Sequence, residues 1–400
     1  KERITMDRIQ NRIDAFSERV GSMRRNDWHY FLREVEQLDG AYVIVRGRRM
    51  LMMASYSYLG LIGHPRIQEA AEQALRRYGT GTHGVRILAG SLPVHRELEE
   101  TIARFKGTEA AIAFASGYGT NLATISALVG RNDLVICDKL DHASIVDGCQ
   151  LSGARFLRFS HNDPEALREQ LERVKGEDCG KLVLVDAVYS MDGDVSPLPQ
   201  LVELCREYGA WLMVDEAHSL GVLGKTGHGI EEHFAMPGSI TVKMGTLSKT
   251  IPAVGGYIAG KNDLIDYLKH NARAFVFSAA LPPPVAAAAK AAFEVILDEP
   301  WRVERAQANG RFFKEGLESL GFNTFAAQTP VVPILIGDEE RTLRFTHLLQ
   351  EEGLFVLPVL PPAVPPNTVR LRTTVTAAHT QADIEMALEI IGKAKKKLGL

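Results

Sequence analysis

Short, continuously apolar segments alternate with helical patterns through the middle of the sequence. An apolar run of strand length, without polar alternation, is typical of a strand that is buried on both faces of a parallel sheet. Five segments have this character: residues 110–114, 134–137, 182–188, 211–214 and 240–244. Helical patterns accompany them, among others at residues 66–78, 92–105 and 121–128. The alternation predicts an α/β fold with a mostly parallel central sheet.

The beginning of the sequence follows another pattern. Residues 1 to about 40 place apolar side chains at helical spacing, which predicts one or two amphipathic helices ending near Gly40. The apolar positions that carry this pattern are Ile4, Ile9, Ile13 and Phe16. Residues 41–54 then predict a hairpin with Gly47 in its turn.

A smaller α+β segment follows the central region. A long Ala-rich helix is predicted at residues 285–297, directly after a run of prolines, and strands are predicted near 331–336 and 369–375. We therefore expect three units along the chain. They are an N-terminal helical and hairpin segment (1–54), a large α/β domain (55–284) and a small α+β C-terminal domain (285–400).

Composition and charge narrow the class of protein. The 400 residues are 46% hydrophobic and carry a net charge of −3, which is ordinary globular composition and argues against nucleic acid as the main partner. The four cysteines are far apart and form no C-x-x-C pair, which indicates reduced thiols rather than disulfides or a zinc site. No apolar run reaches the roughly 18 residues of a membrane span. We therefore expect a cytoplasmic protein without a membrane span or a metal site.

A lysine lies among small hydroxyl residues after a predicted strand. Residues 245–250 read Gly-Thr-Leu-Ser-Lys-Thr, and the pair Gly255-Gly256 follows them. The hydroxyl groups can bind a phosphate, and the glycines let the backbone approach a cofactor closely. Lys249 in this setting is typical of a Schiff-base lysine. The alternative is a surface lysine in a loop rich in serine and threonine.

An aspartate ends the apolar strand at residues 211–214. Ligands bind at the carboxyl ends of strands in open α/β sheets, and a buried carboxylate there needs a cationic partner. A protonated pyridine nitrogen is such a partner for Asp215, and His218, three residues on, can reach the phenolic oxygen of the same cofactor. The alternative is an aspartate that caps a helix beside an incidental histidine.

Two further strand ends carry candidate site residues. Ser116, Gly117 and Tyr118 join the strand at 110–114 to a helix, whose free N–H groups favour an anion such as phosphate. His142 follows the strand at 134–137, and its flat ring can stack on a flat cofactor ring. The alternatives are a plain strand-to-helix turn and an incidental histidine after a capping aspartate.

Two arginines lie on a strand that is predicted near the end of the chain. Arg370 and Arg372 are two residues apart, which places them on one face of the strand. A fixed guanidinium binds a carboxylate through two parallel hydrogen bonds. These arginines are therefore candidates for binding a substrate carboxylate, and the alternative is a solvent-facing pair.

Together and in this order, the motifs resemble the α-oxoamine synthase family of pyridoxal-5′-phosphate (PLP) enzymes. The resemblance extends over almost the whole chain, from Ser-Tyr-Ser-Tyr-Leu-Gly-Leu at residues 55–61 to Ala-Ala-His-Thr at 377–380. It includes Gly-Thr-Gly-Thr-His-Gly-Val-Arg at 79–86 and Tyr-Ser-Met-Asp-Gly-Asp at 189–194. Each motif alone is moderately specific, and their shared order is the stronger evidence.

The resemblance implies the fold-type I architecture of the class I and II aminotransferases, with PLP in the large domain and a homodimer that shares its active sites. It also assigns a role to each residue that matches a motif of the family. Lys249 is the Schiff-base lysine, Asp215 the pyridinium partner, His218 the phenolate contact and His142 the stacked ring; Ser116, Gly117, Tyr118 and Thr246 hold the phosphate, Ser278 reaches the partner's phosphate, Ser190 lies by the ring, and Arg372 grips the amino-acid carboxylate.

The chain departs from this family at two positions of the expected amino-acid pocket. Many relatives carry Asn at the position of Ser57, and many carry Gly, Ser or Cys at the position of His83. The shorter serine gives room, and the histidine adds a polar group that favours a substrate able to satisfy it. We therefore expect alanine or serine as the substrate rather than glycine; the alternative is that His83 faces solvent and selects nothing.

The implied reaction is a decarboxylative condensation of a small amino acid with an acyl thioester, carried either by coenzyme A or by a carrier protein, to give an α-amino ketone. Two alternatives stay open. One is an aminotransferase on the same fold, and the other is a non-catalytic subunit of a heterodimeric synthase. The presence of Lys249 argues against a non-catalytic subunit, which has no need of that lysine.

Overall fold

The computed structural model describes residues 7–400. The predicted apolar position Ile4 lies outside the described residues. Fourteen helices are assigned in this range: α1 (Arg8–Arg25), α2 (Pro65–Tyr78), α3 (Pro93–Lys106), α4 (Gly117–Leu128), α5 (Ala143–Ser152), α6 (Pro164–Glu172), α7 (Leu198–Glu207), α8 (Ile230–His233), α9 (Asn262–Asn271), α10 (Arg273–Val276), α11 (Pro283–Asp298), α12 (Trp301–Ser319), α13 (Glu339–Glu351) and α14 (Gln381–Leu398).

The strands form three sheets. Within the described range they are β1 (Gln37–Asp39), β2 (Tyr42–Val45), β3 (Arg48–Met52), β4 (Ala110–Phe114), β5 (Leu134–Asp138), β6 (Arg155–Phe159), β7 (Lys181–Asp186), β8 (Trp211–Asp215), β9 (Val242–Ser248), β10 (Pro252–Gly260), β11 (Val331–Leu335), β12 (Leu354–Phe355), β13 (Leu357–Val359) and β14 (Arg370–Thr374).

The large sheet has seven strands in the order β4-β10-β9-β8-β7-β5-β6. Strands β9, β8, β7, β5 and β6 run parallel to one another, whereas β10 pairs antiparallel with both β9 and β4. The predicted α/β fold with a mostly parallel central sheet is confirmed.

Successive side chains of the central strands face opposite sides of the sheet, and both sides are buried, which explains why these strands are apolar throughout. In β5 and β7, Ile136 and Val183 pack into one apolar cluster with the helices α6 and α7. Their sequence neighbours Val135 and Leu184 pack into a second cluster with α4 and α5 on the opposite face. Because helices cover both faces, neither face of a strand needs polar side chains.

The N-terminal hairpin and the C-terminal sheet share one apolar cluster. Strand β3 pairs in parallel with the short strand β12, so the hairpin sheet has the order β1-β2-β3-β12. Leu51 of the hairpin packs with Phe313 of α12 and Leu371 of β14. The antiparallel sheet β11-β14-β13 therefore lies directly behind the hairpin.

Two local predictions differ from the structure. Among the described residues before residue 40 there is one helix, α1. The last part of this region forms the strand β1 rather than a second helix. Helix α4 begins at Gly117, earlier than the apolar pattern at 121–128 predicted. Among the helices described, none combines the length and the apolar character that crossing a membrane requires.

Candidate active site

A polar cavity of about 300 Å³ opens where the parallel strands β7, β8 and β9 end. This is the edge at which open α/β sheets bind their ligands. Nine residues that the sequence singled out line this cavity: Ser116, Gly117, Tyr118, His142, Ser190, Asp215, His218, Thr246 and Lys249. The structure therefore brings most of the predicted site together in one place.

Lys249 lies one residue beyond the end of β9 and is partly buried. Burial lowers the pKa of its amine, while the carboxylates of Asp215 and Asp186 oppose that shift. Two buried lysines behind the site, Lys106 and Lys243, have glutamate partners at 2.7 and 2.6 Å. Lys249 forms no ion pair within residues 7–400. Its amine is thus available to a cofactor or a substrate.

Asp215 ends β8 and is 4% exposed. Its Oδ1 accepts a hydrogen bond from the backbone N–H of Ala217, and its Oδ2 accepts one from the Asn121 side-chain amide, both at 2.8 Å. These donors hold the carboxylate in one orientation at the cavity wall. Asn121 also donates to Ser144 Oγ at 2.9 Å, and its own Oδ1 has no hydrogen-bond partner among the described residues.

Three side chains form a buried hydrogen-bonded chain beside the cavity. His218 Nδ1 lies 2.6 Å from the Tyr58 hydroxyl, and Arg372 Nη2 donates to that same hydroxyl at 3.3 Å. Burial raises the pKa of Tyr58 to about 12, so this hydroxyl keeps its proton at neutral pH. Burial, with the charges of Lys249 and Arg372, lowers the pKa of His218 well below its usual value. Tyr58 therefore donates to Nδ1 of a neutral His218, whose Nε2 carries the proton.

His142 is the residue before α5, and its side chain is open to the cavity. Its backbone N–H donates to Asp186 Oδ2 at 2.9 Å, and its Nδ1 lies 2.7 Å from Ser144 Oγ. These contacts fix the position of the imidazole at the carboxyl end of β5. The ring of Tyr118 meets this imidazole edge-on, with centroids 6.2 Å apart, and no ring of residues 7–400 stacks on its face.

The beginning of α4 forms a cradle for an anion. Ser116 precedes the helix, and its Oγ accepts from the backbone N–H of Gly119 at 3.3 Å. A Cβ at Gly117 would lie 2.7 Å from Thr246 Oγ1, so only glycine lets the two segments approach this closely. Thr246 Oγ1 is 2.8 Å from Ser248 Oγ. Hydroxyl groups and the N–H groups of a helix N-terminus thus converge on one point.

The two arginines of β14 have different environments. Arg370 pairs with Asp192 at 2.5 Å, and its guanidinium lies over the ring of Phe325. Arg372 is 6% exposed, donates from Nε to Ser190 O at 2.6 Å and lies 4.5 Å from the centroid of the Tyr56 ring. No carboxylate of the described chain pairs with Arg372. A buried cation without a partner charge is suited to a substrate carboxylate.

The sequence reasoning overlooked Asn121, Tyr58 and Asp186. Asp186 ends β7 directly beside Asp215 in the parallel register, and burial followed by the charge of Asp215 raises its pKa well above the usual range. The signal that identified Asp215, an aspartate at the end of an apolar strand, was also present at Asp186. Asn121 and Tyr58 carried no such signal, because their partners are distant in the sequence.

The remaining predicted residues lie elsewhere. Ser57 is buried near Lys249, and its Oγ has no hydrogen-bond partner among the described residues. His83 is exposed and Ser278 is partly exposed, and neither lines the cavity of its own chain. Their loops are neighbours, since Val85 forms a bridge with Ala279. Within one chain, the structure does not bring His83 and Ser278 to Lys249.

Comparisons with known proteins agree on one family. The family model for class I and II aminotransferases matches residues 48–391. The 8-amino-7-oxononanoate synthase of Geobacter sulfurreducens is 44% identical over 381 residues, which cover 94% of this chain and 97% of the relative. The serine palmitoyltransferase of Bacteriovorax stolpii is 40% identical over 379 residues, which cover 95% and 90%.

Solved structures agree with the sequence relatives. The serine palmitoyltransferase of S. paucimobilis with PLP and myriocin bound superposes with a TM-score of 0.94 at 33% identity, over 97% of this chain and 98% of that one. The serine palmitoyltransferase of Sphingomonas wittichii has a TM-score of 0.94 at 32% identity, over 98% and 99%. The similarity therefore extends over the large sheet and the C-terminal sheet alike.

Proposed function

Because the chain belongs to the α-oxoamine synthases, within the class I and II aminotransferase family, we propose that it joins a small amino acid to an acyl thioester with loss of carbon dioxide. The family consists of acyl-transferring enzymes that use PLP. The reaction forms a bond between the α-carbon of the amino acid and the acyl carbon. It breaks the acyl C–S bond and the bond to the amino-acid carboxylate, and it releases a thiol, carbon dioxide and an α-amino ketone.

The residues around the cavity fit PLP. The cradle at Ser116 and Gly117, closed by Thr246, suits its phosphate, and the missing Cβ of Gly117 lets the Thr246 hydroxyl approach closely. Asp215 is a fixed carboxylate for a protonated ring nitrogen, and Lys249 is an amine for the aldehyde. When bound, PLP withdraws electrons from the bonds at the α-carbon of the amino acid.

One observation carries the proposal for the substrate. Arg372 is buried beside Lys249, since both approach the same ring, that of Tyr56, at 4.5 and 5.9 Å. A cation held there without a carboxylate of its own binds the carboxylate of an amino acid and places the α-carbon near the Lys249 amine. Burial favours the neutral form of that amine, which can then accept the α-proton.

His218 and His142 complete the set of residues that we propose for binding the cofactor. The Nε2 proton of His218, fixed by Tyr58, would be the donor to the phenolic oxygen of bound PLP. His142, at the start of α5, would support the ring of bound PLP and could donate to the thioester oxygen. Each of these groups is held by a second hydrogen bond, so little reorganisation is needed during the reaction.

We propose alanine or serine, rather than glycine, as the amino acid. The name 8-amino-7-oxononanoate places one carbon beyond the amino-bearing carbon, which is the side chain of alanine, and the other relative's name states serine. Ser57 supports serine in particular, since its buried hydroxyl lacks a partner among the described residues and can meet the hydroxyl of a serine substrate. His83 enters this proposal only through a partner chain.

Product analysis tests the proposed function. The PLP-loaded protein is incubated with glycine, L-alanine or L-serine and with acetyl-CoA or octanoyl-CoA, and free thiol, carbon dioxide and amino-ketone mass are measured. We expect all three products, with turnover highest for alanine or serine, and a loss of at least about a thousandfold in Lys249→Ala. A new oxo acid without thiol would show an aminotransferase instead. Fastest turnover with glycine would reverse the choice of amino acid.

A further inference from the structure

A second cavity of about 530 Å³ adjoins the polar one. The two cavities share Ser248 and Lys249 in their walls, so the Lys249 amine is accessible from both. The polar cavity matches the cofactor. The second cavity lies against the helices α2 and α11 and the beginning of β10.

Away from Lys249, and apart from Gln68, the wall of the second cavity is apolar. Leu61, Ile67 and Ala288 belong to one buried apolar cluster, and Ala71 and Ala253 pack against that cluster. Ile67 and Ala288 are only 5% and 8% exposed, so they form a fixed floor rather than a mobile surface. Small side chains at this floor leave the space open.

The polar groups of this cavity are concentrated near the reactive amine. Apart from Gln68, its polar side chains lie within one residue of Tyr56 or Lys249 in the sequence: Ser55, Tyr56, Ser57, Ser248 and Lys249. A ligand that enters this cavity therefore meets polar groups at the reacting end and apolar groups beyond it.

We propose that this cavity is the binding site for the acyl chain of the thioester, and that it selects an uncharged, extended chain. The proposal rests on the proposed function, because the acyl carbon must come to the α-carbon that Lys249 serves. From there the rest of the chain extends over Ala253 towards Ile67 and Ala71. Burial of each methylene is favourable, whereas a carboxylate at the far end of the chain would be buried against apolar groups.

The two named relatives differ in this property of the acyl chain. The name 8-amino-7-oxononanoate leaves a carboxylate at the far end of the acyl part, whereas palmitoyl is uncharged. Overall identity does not distinguish them, since it is 44% for one and 40% for the other. The chemistry of the wall assigns this chain to the uncharged class.

A chain-length series with the PLP-loaded enzyme and L-alanine or L-serine tests the proposal. We expect kcat/KM to rise by about fourfold for each methylene from acetyl-CoA towards octanoyl-CoA until the cavity is filled. The half-thioester of octanedioic acid, which matches octanoyl-CoA apart from its terminal carboxylate, should be about a hundredfold poorer. Equal rates for this matched pair, or no change along the series, would overturn the proposal and leave the proposed function intact. Absence of thiol release from every thioester would instead reject the proposed function.

A variant in which a larger side chain blocks this cavity provides a second, independent test of the proposal. Ala71→Leu fills the cavity, and we expect the ratio of kcat/KM for octanoyl-CoA to that for acetyl-CoA to fall by at least about tenfold. Glu72→Leu adds the same side chain at the next, exposed position of α2 and should leave the ratio unchanged. An unchanged ratio in Ala71→Leu contradicts the proposal. A shift of Ala71→Leu towards monomer in sedimentation would show that a second copy of the chain covers this cavity instead.

Discussion

The proton on His218 is determined by its neighbours rather than by the bulk pH. Its pKa is lowered well below the usual value, chiefly by burial, so the ring is neutral and has one proton to place. The Tyr58 hydroxyl occupies Nδ1, and Arg372 donates to the oxygen of that hydroxyl. The side chain that we propose for the substrate carboxylate is thereby connected to the histidine that we propose for the phenolic oxygen of the cofactor.

Replacing Tyr58 with Phe tests this connection. The ring still fills its fully buried position, but the donor to His218 Nδ1 is lost. We expect turnover to fall by about tenfold, which corresponds to one net hydrogen bond. We also expect ¹⁵N NMR of His218 to change from a single Nε2–H form to a mixture of tautomers.

Tyr56→Phe is the matched control for Tyr58→Phe, because it removes the same atom from a neighbouring ring whose hydroxyl does not contact His218. The ¹⁵N signals of His218 should be the same in this control as in the parent protein. If Tyr58→Phe also leaves those signals unchanged, Tyr58 does not position the proton.

At the scale of the elements, the sequence patterns predicted the continuously apolar strands of the large sheet, including the edge strand β4, and missed β6 and β10. β5 and β8 are apolar throughout because helices cover both faces. β6 was missed because it is an edge strand with exposed arginines, and the inner strand β10 was missed because its one proline and three glycines obscure the strand pattern.

The same limit applies to the site. Residues at strand ends, such as Asp215 and Lys249, could be predicted because a strand end is a local feature of the sequence. Contacts across the fold could not, since Tyr58 and His218 are 160 residues apart and Asn121 and Asp215 are 94 apart. Periodicity reports which face of an element is buried but not which distant side chain it meets.

One such contact across elements holds the loop of Ser190 in place. His161, which follows β6, bridges Asp138 at the end of β5 and Asp194 at 3.1 and 2.9 Å. Its ring also packs edge-on against Tyr189. Burial alone would lower the pKa of His161, but the two carboxylates raise it to about 10. The bridge is therefore charged at neutral pH.

A raised pKa in the folded state makes this contribution to stability depend on pH. It is fully present below the unfolded value of about 6.5 and is lost as the pH rises through about 10. We expect His161→Gln to lower the free energy of unfolding by about 2 kcal/mol at pH 6.5, and the difference from the parent to shrink towards zero near pH 10. Urea unfolding at several pH values measures both. His270→Gln, at an exposed position of α9, serves as the control. If the loss of unfolding free energy in His161→Gln does not depend on pH, this account is wrong.

At the scale of the whole molecule, the residues missing from the cavity lie together on the surface. The loops of His83 and Ser278 meet through the bridge between Val85 and Ala279. Beside them, Leu88 and Phe277 are 83% and 72% exposed, which is unusual for large apolar side chains in a free surface. We propose that this surface contacts a second copy of the chain and that Ser278 serves the phosphate site of that copy.

Mixing two inactive or impaired variants tests the shared site. In a heterodimer of Lys249→Ala and Ser278→Ala subunits, exchange of Ser278 between subunits puts both lesions in one site and leaves the other site intact. After unfolding and refolding of an equal mixture, about a quarter of all sites should be intact, and activity at limiting PLP should recover to about that fraction of the parent. The Lys249→Ala homodimer should be inactive, and the Ser278→Ala homodimer should bind PLP more weakly.

If Ser278 served its own chain, no site of the heterodimer would be intact, and the mixture would show no more activity than the average of the two homodimers. Sedimentation that shows an active monomer would also contradict the shared site.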